Sequence, residues 1–337
     1  MSLILKGFLL IGSLTADAFP LQSSRRPLVR PFHSLKSDED GGFDPEFVHV
    51  MVNGLPGAMG QEVSAACLRK GMRIAPIAFT GPGLEGSIMV KPEPNCPDDQ
   101  QVEVKLITGP PEGSGAGLEA INEFTAGLPV GHQLIIVDYT HPTAVNANVA
   151  FYAKNNLPFV LGTTGGDREL LMDTAQGKWA VIAPNMAKGI VALQAGVDML
   201  AQSFPGAFSG YTLSVQESHQ KSKADTSGTA LAVSASLEKL VDTPFDTDEG
   251  ITRFRGDDAS KAFGVPESAM GGHAFHTYFL RSGDGTVEFQ LQHNVCGRNV
   301  YAEGTADAVL FLSRRMAVDT NAPQVFSMID VLKEGGI

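Results

Sequence analysis

The stretch Glu217-Ser218-His219-Gln220-Lys221-Ser222-Lys223-Ala224-Asp225-Thr226-Ser227-Gly228-Thr229 gathers groups that move protons and groups that hold anions. A histidine changes charge near neutral pH, and a lysine ammonium offers three donors. Tyr211 to Gln216 alternates apolar and polar and predicts a strand, whereas Ala230 to Val241, rich in Ala and Leu, predicts a helix with Thr226 or Ser227 as N-cap. The strand end therefore brings His219 and Lys223 beside a helix N-terminus. Free N–H groups and the positive end of the helix dipole make such a terminus a seat for a carboxylate or phosphate. The chemistry implied is proton donation to a substrate held by an anionic group. A solvated charged loop before an ordinary capped helix would use the same residue types, so position and order must separate the two readings.

A second constellation lies near the start of the ordered pattern. Phe47 to Val52 is a continuous apolar run, followed by Asn53-Gly54-Leu55-Pro56-Gly57-Ala58-Met59-Gly60 and a helical pattern to about Lys70. Strand, glycine turn, helix is the context in which G-x-x-G-x-x-G binds a dinucleotide: the turn lets backbone approach a pyrophosphate, and Gly60 permits close helix packing. The next strand, Ile74 to Phe79, ends at Thr80-Gly81, and no acid follows until Glu85. NAD-specific sites place a carboxylate there for the ribose 2′-hydroxyl. Its absence predicts that NADPH is preferred, with NADH also accepted, and that Thr80 donates a hydrogen bond to the 2′-phosphate.

The elements that must position these groups alternate. Residues 81–101 read as a long loop with a short strand near 88–90. Strands are expected over 102–108, 133–139, 159–162 and 179–183, and helices over 118–125, 145–155, 168–176 and 186–202. Buried apolar strands separated by helices predict a doubly wound parallel sheet. Tyr139-Thr140, Gly162-Thr163-Thr164 and Ala183-Pro184-Asn185-Met186 then fall at carboxyl ends of strands, the ligand edge of such sheets. Further on, 242–267 reads as a polar loop. His273 to Arg281 and Thr286 to Val295 alternate around Ser282-Gly283-Asp284-Gly285, a hairpin signal. Phe275, Thr277 and Phe279, with Val287, Phe289 and Leu291, would stripe a sheet covered on one face. His273 and His276 sit on opposite faces of their strand and with His293 do not converge, so no metal is expected. A helix from Tyr301 to Ala317 and the segment 325–332 complete the chain.

The whole pattern resembles the dihydrodipicolinate reductases, NAD(P)H-dependent enzymes of the diaminopimelate route to lysine. Their signature Glu-x-His-His-x-x-Lys-x-Asp-x-x-Ser-Gly-Thr is matched by Glu217, His219, Lys223, Asp225, Ser227, Gly228 and Thr229. Gln220 stands in place of the second histidine, and one residue is missing between Asp225 and Ser227. Both departures look like the plant-type branch. The likeness runs from about residue 47 to the C-terminus and includes the family's Asp-x-Thr-x-Pro, Gly-Thr-Thr-Gly and Ala-Pro-Asn elements, which line the nicotinamide. Ala58 stands where the family usually carries Arg or Lys. The resemblance implies a Rossmann-like α/β domain (43–186, completed by 299–337) and an α+β substrate and oligomerisation domain (187–298) with an open mixed sheet. It implies that Ser227, Gly228, Thr229, Gln220 and Arg298 bind a cyclic dicarboxylate, and that the chain forms a homodimer or homotetramer. Which of His219 and Lys223 gives up the proton stays open.

Composition narrows the classes. In 337 residues, 43% hydrophobic and 18% charged content is that of a globular enzyme, and a formal charge of −12 argues against nucleic-acid binding. Residues 1–42 predict a cleaved bipartite leader. Leu3 to Leu14 is a short apolar run, Thr15-Ala16-Asp17-Ala18 a cleavage pattern, and a basic, Ser-rich stretch follows Phe19. Delivery to a plastid is the expectation, with no membrane attachment afterwards. Cys67, Cys96 and Cys296 show no metal-like spacing and predict free thiols. Two rival readings remain: a semialdehyde dehydrogenase, which needs a nucleophilic cysteine beside a base, and a nucleotide-sensing protein that has lost catalysis.

Overall fold

The computed structural model describes residues 43–109, 115–223, 225–318 and 323–334; the predicted leader, 1–42, lies outside them. Six parallel strands form the main sheet: β1 (Val48–Asn53), β2 (Arg73–Ile74), β6 (Gln133–Asp138), β7 (Phe159–Leu161), β8 (Ala180–Ile182) and β13 (Val325–Phe326), in the order β13-β8-β7-β6-β1-β2. Between β2 and β6 come β3 (Ile77–Thr80), β4 (Gly86–Val90) and β5 (Val102–Thr108), which make a separate three-stranded sheet. Helices α1 (Ala58–Arg69), α2 (Gly115–Ala126), α3 (Val145–Lys154) and α4 (Arg168–Ala175) connect the strands. Every residue of β1 is buried, as a central strand covered on both faces requires.

The second half is built on a mixed sheet of order β10-β9-β11-β12, formed by β9 (Tyr211–His219), β10 (Ile251–Arg255), β11 (His273–Ser282) and β12 (Glu288–Cys296). Helix α5 (Lys188–Ser203) leads into it, α6 (Gly228–Glu238) follows β9, and α7 (Asp257–Ala262) follows β10. Helices α8 (Asn299–Val318) and α9 (Met328–Lys333) then return to the first sheet, flanking β13. The fold is thus a Rossmann-like parallel sheet plus a mixed-sheet unit.

Helix α8 supports both halves of the molecule. It packs on α1, and a Cβ at Gly304 would stand 1.8 Å from the Met186 carbonyl oxygen, so only glycine lets the helix approach that turn. Asp307, fully buried on α8, receives Lys70, the residue just past α1, at 2.7 Å and Lys188 of α5 at 2.6 Å. Two cations around one carboxylate offset its desolvation.

Three sequence expectations change. The strand expected over 74–79 breaks at Pro76, which has no N–H to give: β2 stays on β1, while β3 departs to β5, whose Lys105 N–H bonds the Pro76 carbonyl. The loop expected over 242–267 contains β10 and α7. β10 lies at a sheet edge with Thr252 and Arg253 exposed, which hides its alternation. The two hairpin stripes lie on opposite faces, because Phe279 pairs with Gln290 and Leu280 with Phe289. A one-residue change of register moves every side chain across the sheet.

Candidate active site

At the carboxyl edge of β1 the chain turns through Gly54, whose φ of +99° suits glycine and whose added Cβ would stand 2.2 Å from the Tyr139 carbonyl oxygen. A Cβ at Gly57 would meet the Gly54 carbonyl at 2.7 Å, and one at Gly60 would press on Leu55 and Gly54 at 3.2–3.4 Å. Gly57 is the N-cap of α1. No side chain caps that terminus and no acid lies in its first turn, so the positive end faces outward past exposed Gly57 and Ala58, with Met59 half-buried behind them. These features fit a pyrophosphate, and with the turns below they fit a nicotinamide dinucleotide.

Thr80 does not take the expected role. It is buried, and its hydroxyl donates to the Leu55 carbonyl at 2.6 Å, bracing the glycine turn from beneath. Its one hydrogen is therefore spent inside the protein. Glu85, the first acid after β3, is held by the Thr108 hydroxyl and by the Gly83 N–H at 3.3 Å.

The turns after β6 and β7 hang on Asp138, the last residue of β6. Its fully buried carboxylate accepts from Thr140 N–H (3.0 Å), the Thr140 hydroxyl (2.8 Å), the Thr163 hydroxyl (2.7 Å), Asn148 (2.9 Å) and the Tyr152 hydroxyl (2.7 Å). Burial and that carboxylate push the Tyr152 phenol well up, so it stays a donor. Asn53 donates to the Tyr152 oxygen at 2.8 Å and accepts the Phe79 N–H, tying β1 and β3 into the same network. Tyr139 bonds Thr305 of α8 at 2.7 Å, and its ring fills the space a Cβ at Gly162 would need. Thr164 is exposed beside these groups. After β8, Pro184 is exposed while Ala183, Asn185 and Met186 are buried. The glycine turn and the turns after β6, β7 and β8 thus sit at one edge of the parallel sheet.

On the other side, β9 runs three residues further than expected and delivers Glu217 and His219 directly. Glu217 is fully buried. One of its oxygens receives Arg255 of β10, and the other accepts the Ser227 N–H at 3.1 Å, immediately before α6. Arg255 also donates to the Lys223 carbonyl at 2.6 Å and the Asp225 carbonyl at 3.0 Å. The loop from His219 to Ser227 is therefore pinned at both ends and twice in its middle. Arg255 was missed because it lies in the segment read as loop, and its pairing partner is distant in sequence.

Lys223, half-buried, reaches Asp225 at 2.9 Å. His219 is buried, and its pKa is pushed down to about 3 by burial first and then by the positive charges of Arg255 and Lys223. Gln220 is half-buried, and Gly228 is exposed with open space around it. The Thr229 hydroxyl accepts from Asn185 at 3.1 Å, so the turn after β8 touches the first turn of α6. Arg298 lies over Gly272 at the end of β12. Because Cys296 pairs with His273 and Ala274 with His219, Arg298 stands at the same end of the sheet as His219.

The histidines converge differently from the expectation. His273 does turn to the far face, bonding Ser218 at 2.9 Å, but His276 faces His219 across β9 and β11 at 3.2 Å. With Glu217 they form a buried trio whose ligand-type atoms lie within 4.8 Å of one another. The cysteines offer no nucleophile: Cys67 is buried with its thiol pushed far up, Cys96 is half-buried in a loop, and Cys296 is exposed at a strand end. That removes the structural basis of the semialdehyde dehydrogenase reading.

A glycine turn at the edge of a parallel sheet, with a loop carrying His219 and Lys223 on a second, mixed sheet, is the arrangement of a dehydrogenase of the Rossmann-like class. The sequence profiles described as "Dihydrodipicolinate reductase, N-terminus" and "Dihydrodipicolinate reductase, C-terminus" match residues 113–186 and 189–332. The chain is 44% identical over 297 residues to 4-hydroxy-tetrahydrodipicolinate reductase 1, chloroplastic, of Arabidopsis thaliana, covering 86% of this chain and 79% of the relative. It is 41% identical to the probable reductase 2, chloroplastic, of Oryza sativa subsp. japonica, covering 86% and 84%. Dipicolinate-bound dihydrodipicolinate reductase from Paenisporosarcina sp. TG-14 shares the fold, with a TM-score of 0.51 at 18% identity over 83% of this chain and 97% of that one. The chain belongs to the dihydrodipicolinate reductase family.

Proposed function

We infer that the chain reduces 4-hydroxy-tetrahydrodipicolinate to tetrahydrodipicolinate, with loss of water, in lysine biosynthesis by the diaminopimelate route. The contact between Asn185 and Thr229 carries the reading: it sets the turn after β8, which we assign to the nicotinamide, against the first turn of α6, which we assign to a substrate carboxylate. The bound nicotinamide supplies the hydride. On the protein side, the Ser227–Thr229 turn holds one substrate carboxylate with N–H and hydroxyl donors, and Gln220 and Arg298 complete the dicarboxylate site. Lys223 delivers the proton, because His219 is held neutral in the resting protein and has none to spare. Gly54, Gly57, Ala58, Met59 and Gly60 hold the pyrophosphate. Tyr139, Thr140, Gly162, Thr163, Thr164, Ala183, Pro184, Asn185 and Met186 line the nicotinamide.

NADPH is the preferred reductant, on the ground that no free carboxylate follows β3. The nucleotide unit is 43–186 with 299–337, and the substrate unit is 187–298. The mixed sheet makes a homodimer or homotetramer, supported by half-exposed Val287 and Phe289 at its edge. The leader directs the chain to a plastid, which the chloroplastic relatives support.

The test is to couple the purified chain to a dihydrodipicolinate synthase and follow NADPH absorbance. Turnover that falls about a hundredfold or more in both Lys223→Ala and Lys223→Arg supports the assignment, since arginine keeps charge but cannot release a proton. No turnover in the wild-type chain would favour the nucleotide-sensing reading. Full turnover in Lys223→Arg would move the acid role elsewhere.

A further inference from the structure

His219 and His276 form a buried pair whose Nε2 atoms lie 3.2 Å apart, on neighbouring strands β9 and β11. Both are held neutral. Burial dominates for each; at His276 the neighbouring His293 and His219 add to it, then Arg255 and Lys223, and the ring is driven down to about 2. Two neutral imidazoles in contact through Nε2 share one hydrogen, so one ring donates and the other accepts. Which one donates is decided by what the remaining nitrogens find. His276 Nδ1 is buried with no partner among the described residues. If His276 were the acceptor, its hydrogen would sit on that Nδ1 as a buried, unsatisfied N–H. If it is the donor, Nδ1 is only an unused lone pair. Buried orphan donors are the rarer and costlier of the two.

We propose that His276 is a positioning residue that donates its Nε2–H to His219 and so fixes His219 as the neutral Nδ1–H tautomer. The inference rests on the reductase reading above only for its consequence in catalysis. With Nε2 accepting, the one hydrogen His219 carries is on Nδ1, the nitrogen left for the ring's hydrogen bond to the His273 backbone or to a bound dicarboxylate. His293 buttresses the arrangement, its ring 4.7 Å from that of His276 and its Nε2 3.3 Å from the Tyr278 hydroxyl. A divalent cation among Glu217, His219 and His276 is the competing use of the same atoms. Arg255, already bonded to Glu217, and Lys223 oppose it by placing positive charge at the trio.

Imidazole nitrogen NMR of the wild-type chain tests the tautomers without any substitution. The expected pattern is protonated Nε2 on His276 and protonated Nδ1 on His219; the reverse pattern would overturn the proposal. His276→Phe keeps a ring and removes the donor, and should release His219 to the other tautomer and lower kcat about tenfold at unchanged KM for NADPH. His276→Gln places an amide N–H near the same point and should restore most of both. An unaltered His219 spectrum in His276→Phe would reduce His276 to filling space. Tight stoichiometric binding of zinc to the wild-type chain, lost in His276→Phe, would favour the cation instead. Should both variants unfold, the wild-type spectrum still decides.

Discussion

Asn185 donates from Nδ2 to the Thr229 hydroxyl oxygen at 3.1 Å, and its own Oδ1 accepts the Ala187 N–H at 2.8 Å. One side chain therefore fixes the start of α5, the turn after β8 and the first turn of α6 together. Hydride transfer tolerates little error in approach, and a displacement of about 1 Å costs on the order of a hundredfold in rate. Asn185→Ala should lower kcat at least tenfold while costing only about 1 kcal/mol of stability for the lost hydrogen bonds. Thr229→Val should behave alike, and the double variant should lose no more than either single one, as expected for partners. Additive losses would mean that the two residues act independently.

Arg255 organises the loop between β9 and α6 from outside it. Arg255→Ala leaves the Glu217 carboxylate buried without its cation, which costs about 3 kcal/mol. Combining Arg255→Met with Glu217→Gln removes both charges and should recover much of that stability. Turnover should not recover, because the bonds to the Lys223 and Asp225 carbonyls are still missing. Thermal melting and steady-state kinetics on the two variants separate the roles; recovery of both together would reduce Arg255 to a structural cation.

The contrast between what the sequence predicts and what the fold does is clearest at these residues. β1, α1, the glycine turn and the turns after β6, β7 and β8 were legible because each is local: an apolar run, a turn former, a helical period. The strand–loop–helix around His219 was legible for the same reason. Arg255 was not, since β10 pairs in parallel with β9 across a long connection and shows no clean alternation. The inward hydroxyl of Thr80 follows from the break at Pro76, which sends β3 out of the main sheet. The His219–His276 contact depends on a register that no single strand reveals.

The bond from Thr80 to Leu55 changes what decides cofactor choice. Thr80→Val should cost about 1 kcal/mol of stability yet leave the ratio of kcat/KM for NADPH to NADH unchanged. A collapse of that ratio would return the 2′-phosphate to Thr80. In the wild-type chain the ratio should favour NADPH by about tenfold, roughly 1.4 kcal/mol, because Gly81 to Leu84 offer no carboxylate and Glu85 is tied to Thr108 and Gly83. A ratio favouring NADH would show that the missing acid does not govern the choice.

Four histidines make the fold acid-sensitive. Burial pushes His276 down to about 2, His219 to about 3, and His49 and His293 to about 4, from an ordinary 6.5. His49 lies at the opposite end of the parallel sheet, where it contacts His132 at 2.9 Å and the charges of His132 and Arg73 add to its burial. Below about pH 6.5 the unfolded chain takes up protons that the native chain refuses until about pH 4 or lower, so stability rises with pH in that window. It is fully present above pH 6.5 and is lost progressively on acidification. Each withheld proton contributes about 1.4 kcal/mol per pH unit. His276 touches both His219 and His293, so the three titrate as a group, and the four should act as two to three protons, on the order of 3 kcal/mol per pH unit near pH 5. Urea unfolding at pH 7, 6 and 5 measures the slope directly. His49→Phe should reduce it by about one proton, and a free energy that stays flat from pH 7 to 5 would show that these rings accept protons in the native protein after all.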